Sequence, residues 1–574
     1  MKQNISILIG GVQGEGVVST GLNLMKTLSS LGYFTYANRN FSSRIKGGNT
    51  TLNMNVGVNK AYAVSDKVDI VLAMDEATIE GCTKHLHNEG VLLYDSALKA
   101  NTEAINSIKA FAIPITTIAK ELGAPSMKST SAIVFLGRLL NMPEEIFIES
   151  INLRYKKKGP EVINKNLQIL SRIYQQDTIS FKGVNLQLAP PREQTSRAVL
   201  MGNDAIAIGA LVGGCRFVAS YPITPASEIM EYLGNQLPNY GGIMLQAEDE
   251  IAAVNAIIGA SYGGVRSLTA TSGPGISLML EGIGLAGMAE IPIVIVDAQR
   301  AGPSTGLPTK HEQSDLFTMY YGGHGEYPSI ILTPSTIEEC FYETIRALNL
   351  ADIYQCPVIL LSDLTLSLSP QTIEGLDFTK IDIDRGKLLL AVPEEQGKDS
   401  FERYSITEDG ISQRVIPGAK GGIHHVTGLE HNQVGGPIDS PKNRKSMMEK
   451  RMRKTLSLSK GKELIIEAAP NSNNRTLFLT FGSTYGVLKE ASKACNATID
   501  IGKIKMLKPL PCKELEAAFN QYESIVIVEN NYYGQLSKII KSELGYHNKI
   551  RSVVKYDGNP YSIDELMEEI GGSN

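Results

Sequence analysis

Three consecutive acids, Glu248, Asp249 and Glu250, follow the strand-like stretch IMLQ and open a segment in which Ala and Gly recur at helical spacing. Carboxylates in a first helical turn complement the positive end of the helix, each contributing about 0.3–1 kcal/mol. Glu250 is the one succeeded by the small-residue face that permits close packing, so it is expected to point inward, where a carboxylate needs a partner. Upstream, in FVASYPITPASEIMEYL (217–233), Thr224 lies next to Pro225 and two residues after Pro222. Each proline fixes its own φ near about −65° and restricts the residue before it, so Ile223 and Thr224 have little freedom. One reading is helix entry, with Pro225 in the first turn, Thr224 as cap and Glu228 at a capping-box-like offset. The other is a rigid loop that positions a reacting group. TSGPG (271–275) is a tight connection from strand to helix; around Ser272 and Gly273 the backbone could approach a ligand with its amides facing an anion, or simply make a βα turn. Arg300 ends the strand-like IPIVIVDAQ, and its planar fork suits a carboxylate.

Other patterns carry less chemistry. Gly302, Ser304 and Gly306 have the G-x-S-x-G spacing of a hydrolase elbow, but an elbow needs a helix directly after the serine, and Pro308 follows without helical periodicity. In GGIHHVTGLEH (421–431), His424, His425, Glu430 and His431 lack a familiar ligand spacing, so no metal site is expected there. GGVQGEG (10–16) joins strand to helix as in nucleotide folds, without a strict G-x-G-x-x-G and without a P-loop lysine.

The elements that must hold these residues read as α/β throughout. A chain of 574 residues exceeds one core and predicts roughly three to four domains. With 43% hydrophobic and 20% charged residues, 54 Gly and no Trp, it has the composition of a folded protein with many tight βα turns. A net charge of −5 and a pI near 6.0 provide no basic field for a phosphate backbone, which argues against nucleic acid. The six cysteines (82, 215, 340, 356, 495 and 512) include no C-x-x-C pair, so reduced thiols in a cytoplasmic protein are expected, with no local motif for an iron–sulfur cluster or zinc. The start MKQNISILIGGVQGEG has no long apolar leader-like run. Arg266, Glu281, Glu290 and Asp297 interrupt the apolar stretch 251–299, so no membrane span is expected. Residues 1–185 alternate strand and helix, which predicts a parallel sheet. A Pro-rich, polar linker follows at 186–197, then a second α/β unit at 198–385. Residues 386–473 form a connector whose basic stretch SPKNRKSMMEKRMRKTLSLSKGKE is expected to be a solvated face. Residues 474–574 read as a βαβαβ layer.

Taken together, GNDAIAIGALVGGCRFVASYPITP, EDEIAA, GASYGGVRSLTATSGPG, RAGPSTGLPT with QSDL, GLEHNQVGG, and KPLPC with VIVENNYYGQL resemble the α subunit of 2-oxoacid:ferredoxin oxidoreductases. The N-terminal unit, with GGVQGEGVVSTG and SSRIKGGNT, resembles the γ subunit of the same enzymes, here fused ahead of α; Gln13 and Glu15 stand where the family more often has Gly and Gln. The resemblance implies three modules with mainly parallel sheets: a γ domain, a thiamine diphosphate pyrimidine-binding-like domain and a transketolase C-terminal-like domain. It implies that a carboxyl group bonds N1′ of the cofactor's aminopyrimidine and promotes the tautomer that takes the C2 proton. By the family's spacing the acid stands nine residues before the Gly of a Gly-Ala pair (Gly259, Ala260), which selects Glu250, with Glu248 as fallback. Thr224 then becomes the substrate-loop threonine, Arg300 the clamp for the 2-oxoacid carboxylate, and Pro222, Ser272 and Gly273 further cofactor contacts. No GDG with a downstream Asn and no Cys cluster is present. The resemblance therefore implies a separate β subunit that provides Mg²⁺ and a [4Fe–4S] cluster, ferredoxin as electron acceptor, coenzyme A as cosubstrate, and an (αβ)₂ assembly. The PSTGLPT stretch resembles members acting on 2-oxoglutarate or branched 2-oxoacids more than on pyruvate. A non-catalytic paralogue and a serine hydrolase using Ser304 are the alternatives.

Overall fold

The strand Asn4–Val12 is buried along nearly its whole length, and so is Val68–Ala73 beside it, as near-continuous apolar runs require when both faces of a sheet are covered. The computed structural model describes every residue except 42–47, 82–83, 100–107, 176–178, 182, 394–400, 461, 469–474, 496–498 and 572–574. Cys82 and most of the SSRIKGG stretch thus lie outside the described residues. Asn4–Val12 belongs to a unit made of Met1–Leu200, Ser369–Leu376 and Ser562–Glu568. Its sheet has the order Lys109–Ile113, Leu86–Asp95, Val68–Ala73, Asn4–Val12, Asn49–Gly57, Phe34–Asn40, Gln371–Thr372 and Val199–Leu200.

That sheet is mixed, where a parallel one was expected. Asn4–Val12 pairs in parallel with Val68–Ala73 but antiparallel with Asn49–Gly57, which in turn runs antiparallel to Phe34–Asn40. The physical reason is connection length: the stretch between Asn40 and Asn49 is too short for the helical crossover that a parallel pair needs. The outer strand Gln371–Thr372 comes from far along the chain and is fastened by Thr372, whose hydroxyl accepts the Thr35 N–H at 3.0 Å and lies 2.5 Å from that of Ser29.

The other unit contains two sheets. Seven strands are ordered Met506–Lys508, Ile330–Leu332, Pro357–Asp363, Ile293–Gln299, Ser267–Thr271, Phe217–Ser220 and Ile243–Gln246, all neighbours parallel except Met506–Lys508. Parallel register brings the C-terminal ends of Phe217–Ser220, Ser267–Thr271 and Ile293–Gln299 together, so residues 221–225, 272–275 and 300 leave the sheet at one edge. The second sheet orders Leu464–Glu467, Asp500–Ile504, Thr476–Thr480, Ser524–Glu529 and Ile550–Val554. Its parallel strands are those read as the βαβαβ layer; the antiparallel edge strand Leu464–Glu467 comes from the expected connector.

The basic stretch is a solvated face on one side only, where Lys442, Arg444 and Lys445 are exposed. It forms the helix Pro441–Arg453 and a following 3₁₀ turn, and Met447, Lys450, Arg451 and Lys454 are all buried. Lys450 donates to both Glu290 oxygens at 2.6 and 2.8 Å, Lys454 approaches the same carboxylate at 2.5 Å, and Arg451 is paired with Glu430 at 2.7 Å. The cations are inside because acids from remote segments meet them there. Nearby, Asp352 accepts from Arg266 at 2.8 Å and Arg414 at 2.7 Å, which ties the connector into the same unit. Among the described residues, no helix is long and apolar enough to cross a membrane.

Candidate active site

The three acids 248–250 divide their tasks. Asp249 caps the helix Glu250–Tyr262, accepting the Ala252 N–H at 2.7 Å, while Glu248 precedes the helix and is exposed. Glu250 is the inward one, with 5% of its surface exposed. Its carboxylate lies against the first turn of the helix Gly273–Met288: a Cβ on Gly275 would stand 2.7 Å from both Cγ and Oε1 of Glu250 and 2.0 Å from Thr271 Oγ1. The described residues supply no hydrogen bond to the Glu250 carboxylate. Gly275→Ala is accordingly expected to displace this carboxylate and cost about 1–3 kcal/mol of stability, with activity lost in the assembled enzyme; thermal unfolding beside turnover measures both.

Arg300, 6% exposed, leaves the end of Ile293–Gln299 and donates through Nη1 to the carbonyl of Thr224 at 2.6 Å, while its Nε has no partner. Burial pushes the guanidinium's pKa down, and the charges of Asp315 and then Glu250 oppose that. Thr224 is half-buried and does not cap a helix. The helix begins at Ser227, with Ala226 at the cap position and no side-chain cap bond. The helix-entry reading fails because other groups take its components: Arg300 takes the Thr224 carbonyl, and Asn203 takes the Pro225 carbonyl at 2.6 Å and the Glu228 carboxylate at 3.2 Å. Pro222 is exposed.

Ser272 occupies the cap position of Gly273–Met288 without a side-chain cap bond, and its hydroxyl is buried and unpartnered. The anion at the Gly273 amide is the protein's own Asp315 carboxylate; a Cβ on Gly273 would meet its oxygens at 2.6 and 2.8 Å. Asp315 was visible in the QSDL motif, but nothing local to it revealed that it faces Gly273. Burial, with help from Glu312, raises its pKa to about 7 against the opposing effect of Arg300 and the Gly273 amide. Asp297 is fully buried with both oxygens unpartnered, and burial together with Asp315 raises its pKa well above the usual carboxylate range. The only sequence signal for Asp297 was an acid inside an apolar strand.

Ser304 lies on an exposed turn closed by the Ala301–Leu307 bridge, and the next helix is Leu316–Tyr321, so no helix follows the serine. In the 421–431 loop, Glu430 is held by Arg444 and Arg451, and His424 and His431 each share a ring nitrogen with a backbone carbonyl. Among the described residues no group of three or more His, Cys, Asp or Glu is arranged to hold a metal.

A buried carboxylate without a protein hydrogen bond, beside a glycine whose missing side chain makes its room and a buried unpartnered hydroxyl, fits an aminopyrimidine that accepts and returns a proton. The family described as "Pyruvate flavodoxin/ferredoxin oxidoreductase, thiamine diP-bdg" matches residues 208–450, and "Pyruvate ferredoxin/flavodoxin oxidoreductase" matches residues 6–176. The 2-oxoacid:ferredoxin oxidoreductase subunit alpha of a Sulfolobus species is 34% identical, over 99% of this chain and 96% of its own. The 2-oxoglutarate synthase subunit KorA of Methanothermobacter thermautotrophicus is 36% identical, over 66% of this chain and 98% of its own. The solved 2-oxoglutarate:ferredoxin oxidoreductase of Magnetococcus marinus, with 2-oxoglutarate, coenzyme A and succinyl-CoA bound, superposes with a TM-score of 0.91 at 34% identity, covering 100% of both chains. With a thiamine diphosphate-binding domain at 208–450 and near full-length likeness to these proteins, the chain belongs to the family of 2-oxoacid:ferredoxin oxidoreductase α subunits.

Proposed function

We propose that this chain supplies the proton-handling side of a thiamine diphosphate site for the oxidative decarboxylation of a 2-oxoacid, 2-oxoglutarate or a branched 2-oxoacid favoured, to an acyl-CoA, or for the reverse reaction. A separate β subunit completes the site, holding the diphosphate through Mg²⁺ and passing electrons through a [4Fe–4S] cluster to ferredoxin, in an (αβ)₂ assembly. The observation that carries the reading is the buried Glu250 carboxylate, without a protein hydrogen bond, pressed against Gly275. Bound thiamine diphosphate supplies a carbon nucleophile and an electron sink. Glu250 holds and returns one proton at its carboxyl oxygen, toward the pyrimidine ring nitrogen. Arg300 fixes the 221–225 loop through the Thr224 carbonyl and keeps its unpartnered Nε for the 2-oxoacid carboxylate. The Thr224 hydroxyl, on a loop stiffened by Pro222 and Pro225, positions the oxo group, and such positioning contributes up to about 7–11 kcal/mol of a barrier. The solved relative's bound 2-oxoglutarate and coenzyme A support the choice of substrate and cosubstrate.

Two preparations test this: the chain purified alone, and the chain co-purified with its β subunit, each given a panel of 2-oxoacids, coenzyme A and a dye acceptor. The complex is expected to reduce the dye and the lone chain to be inactive. Turnover by the lone chain would overturn the divided site, and failure of the complex to bind thiamine diphosphate would identify a non-catalytic paralogue.

A further inference from the structure

We propose that Gln313 is a positioning residue for the cofactor site: tied to strand ends of both sheets, it sets the segment 313–317, and through Asp315 that segment holds the turn 272–275 in place for the cofactor. The proposal rests on the reading of Glu250, Ser272 and Gly273 as the thiamine diphosphate side of the site. Gln313 is fully buried. Its Nε2 donates to Asp363 Oδ2 at 3.0 Å and to the Phe481 carbonyl at 3.2 Å, and its Oε1 accepts the Asn530 N–H at 3.2 Å and the Thr484 hydroxyl at 3.3 Å. Its backbone N–H donates to the Asn530 carbonyl at 2.6 Å, and its carbonyl accepts from Asn531 Nδ2 at 3.2 Å. Acceptors face one end of the amide and donors the other, so only one orientation satisfies it. Asp363 ends the strand Pro357–Asp363 of the seven-stranded sheet, whereas Phe481 and Asn530 directly follow the strands Thr476–Thr480 and Ser524–Glu529 of the second sheet. The C-terminal ends of parallel strands are where α/β folds ordinarily receive ligands, and here the chain's own glutamine fills that place.

Two further amides hold the residues that follow. Gln535, at the start of the helix Gln535–Leu544, donates to the Ser314 carbonyl at 2.8 Å and accepts the Phe317 N–H at 2.8 Å. Gln299 donates to the Ser362 carbonyl at 3.0 Å and accepts the Asp315 N–H at 3.1 Å. With its backbone fixed from both layers, Asp315 packs its carboxylate on Gly273, where an added Cβ would stand 2.6 and 2.8 Å from the two oxygens. Gly273 opens the helix whose Gly275 lies against the Glu250 carboxylate, and Ser272, with its buried unpartnered hydroxyl, comes immediately before it. A fully satisfied buried network has one arrangement, so it passes position from the C-terminal layer to the turn 272–275.

The experiment uses the complex co-purified with the β subunit and compares the wild type with Gln313→Glu, which keeps the side chain's size but turns an acceptor toward Asp363 and the Phe481 carbonyl. In complex stripped of cofactor, the Kd for added thiamine diphosphate is expected to rise about tenfold, the scale of one lost hydrogen bond. Backbone amide deuterium exchange over residues 272–280 of the same stripped complex, a readout independent of turnover, is expected to quicken about tenfold. With cofactor saturating, the KM for 2-oxoglutarate should stay within about twofold, since the Arg300 bond to the Thr224 carbonyl does not run through Gln313. Gln535→Met introduces no charge and is the second variant, expected to shift both readouts in the same direction by about threefold. Tyr522→Phe removes a buried bond to Asp500 at 2.8 Å in the C-terminal layer without touching residues 313–317, and it should lower the melting temperature while leaving both readouts at wild-type values. Unchanged cofactor affinity in Gln313→Glu and Gln535→Met, or an equal change in Tyr522→Phe, would overturn the role of Gln313. A wild-type complex that binds no thiamine diphosphate would instead overturn the reading of the site; faster exchange over 272–280 in Gln313→Glu would then still support the link to Gly273, and unchanged exchange would overturn it.

Discussion

Glu250→Gln is expected to reduce turnover of the assembled enzyme by about 10²–10⁴-fold, the range general acid–base catalysis ordinarily supplies. The substitution keeps the size of a side chain packed at 2.7 Å from the Cβ position of Gly275, so the helix Glu250–Tyr262 and its Asp249 cap should persist. What it removes is the ionisable oxygen. The direct measurement is hydrogen–deuterium exchange at C2 of thiamine diphosphate in the complex, followed with assembly state: exchange should slow with turnover while the subunits stay together. Undiminished exchange would transfer the role elsewhere, and Glu248→Gln serves as control, since Glu248 is exposed ahead of the helix and should leave exchange near wild type.

Glu290→Gln is expected to have the largest effect on stability, roughly 3–5 kcal/mol, because it strands two ammonium groups in the interior. Glu290, Lys450 and Lys454 have side-chain exposures of 0%, with N···O separations of 2.5–2.6 Å. Burial alone would raise the Glu290 pKa; Lys454 and Lys450 outweigh it and hold the carboxyl well below the usual range. A depressed carboxylate pKa contributes stability that is full above its unfolded value and is lost progressively as pH falls from there through the folded value, so this contribution should decline over an acid range that extends well below the unfolded carboxylate pKa. A melting curve lowered by several degrees in the single variant, and partly restored when Lys450 and Lys454 are also replaced by Met, would fit a buried charge left without its counter-ion. An unchanged melting temperature for Glu290→Gln would contradict it.

What could be read from the chain beforehand follows a physical line. Glu250 was legible because its orientation is set locally, by a helix start and the small residues that follow it. The strands and helices around residues 202–299 were legible for the same reason. Asp315 against Gly273 was not, since the contact joins segments that only the parallel sheet brings together. The basic helix was misjudged because a run of Lys and Arg looks the same whether water or an acid faces it, and the acid facing Lys450 is 160 residues away. Thr224 was ambiguous between cap and loop until Arg300 was seen to take its carbonyl from 76 residues downstream. The antiparallel half of the first sheet was hidden by a rule that alternating strand and helix make parallel sheets; the helix Val17–Ser30 does not join parallel neighbours in sheet order, and the strands after it form a short-connected pair.

The strand Gln371–Thr372 bears on how this polypeptide is born. Translation delivers Phe34–Asn40 early, but the neighbour on its outer side is encoded more than 300 residues later, as the 337-residue separation of Thr35 and Thr372 records. Until that stretch leaves the ribosome, the nascent sheet carries a row of bare amides and carbonyls, the kind of border on which unfinished chains stick to one another.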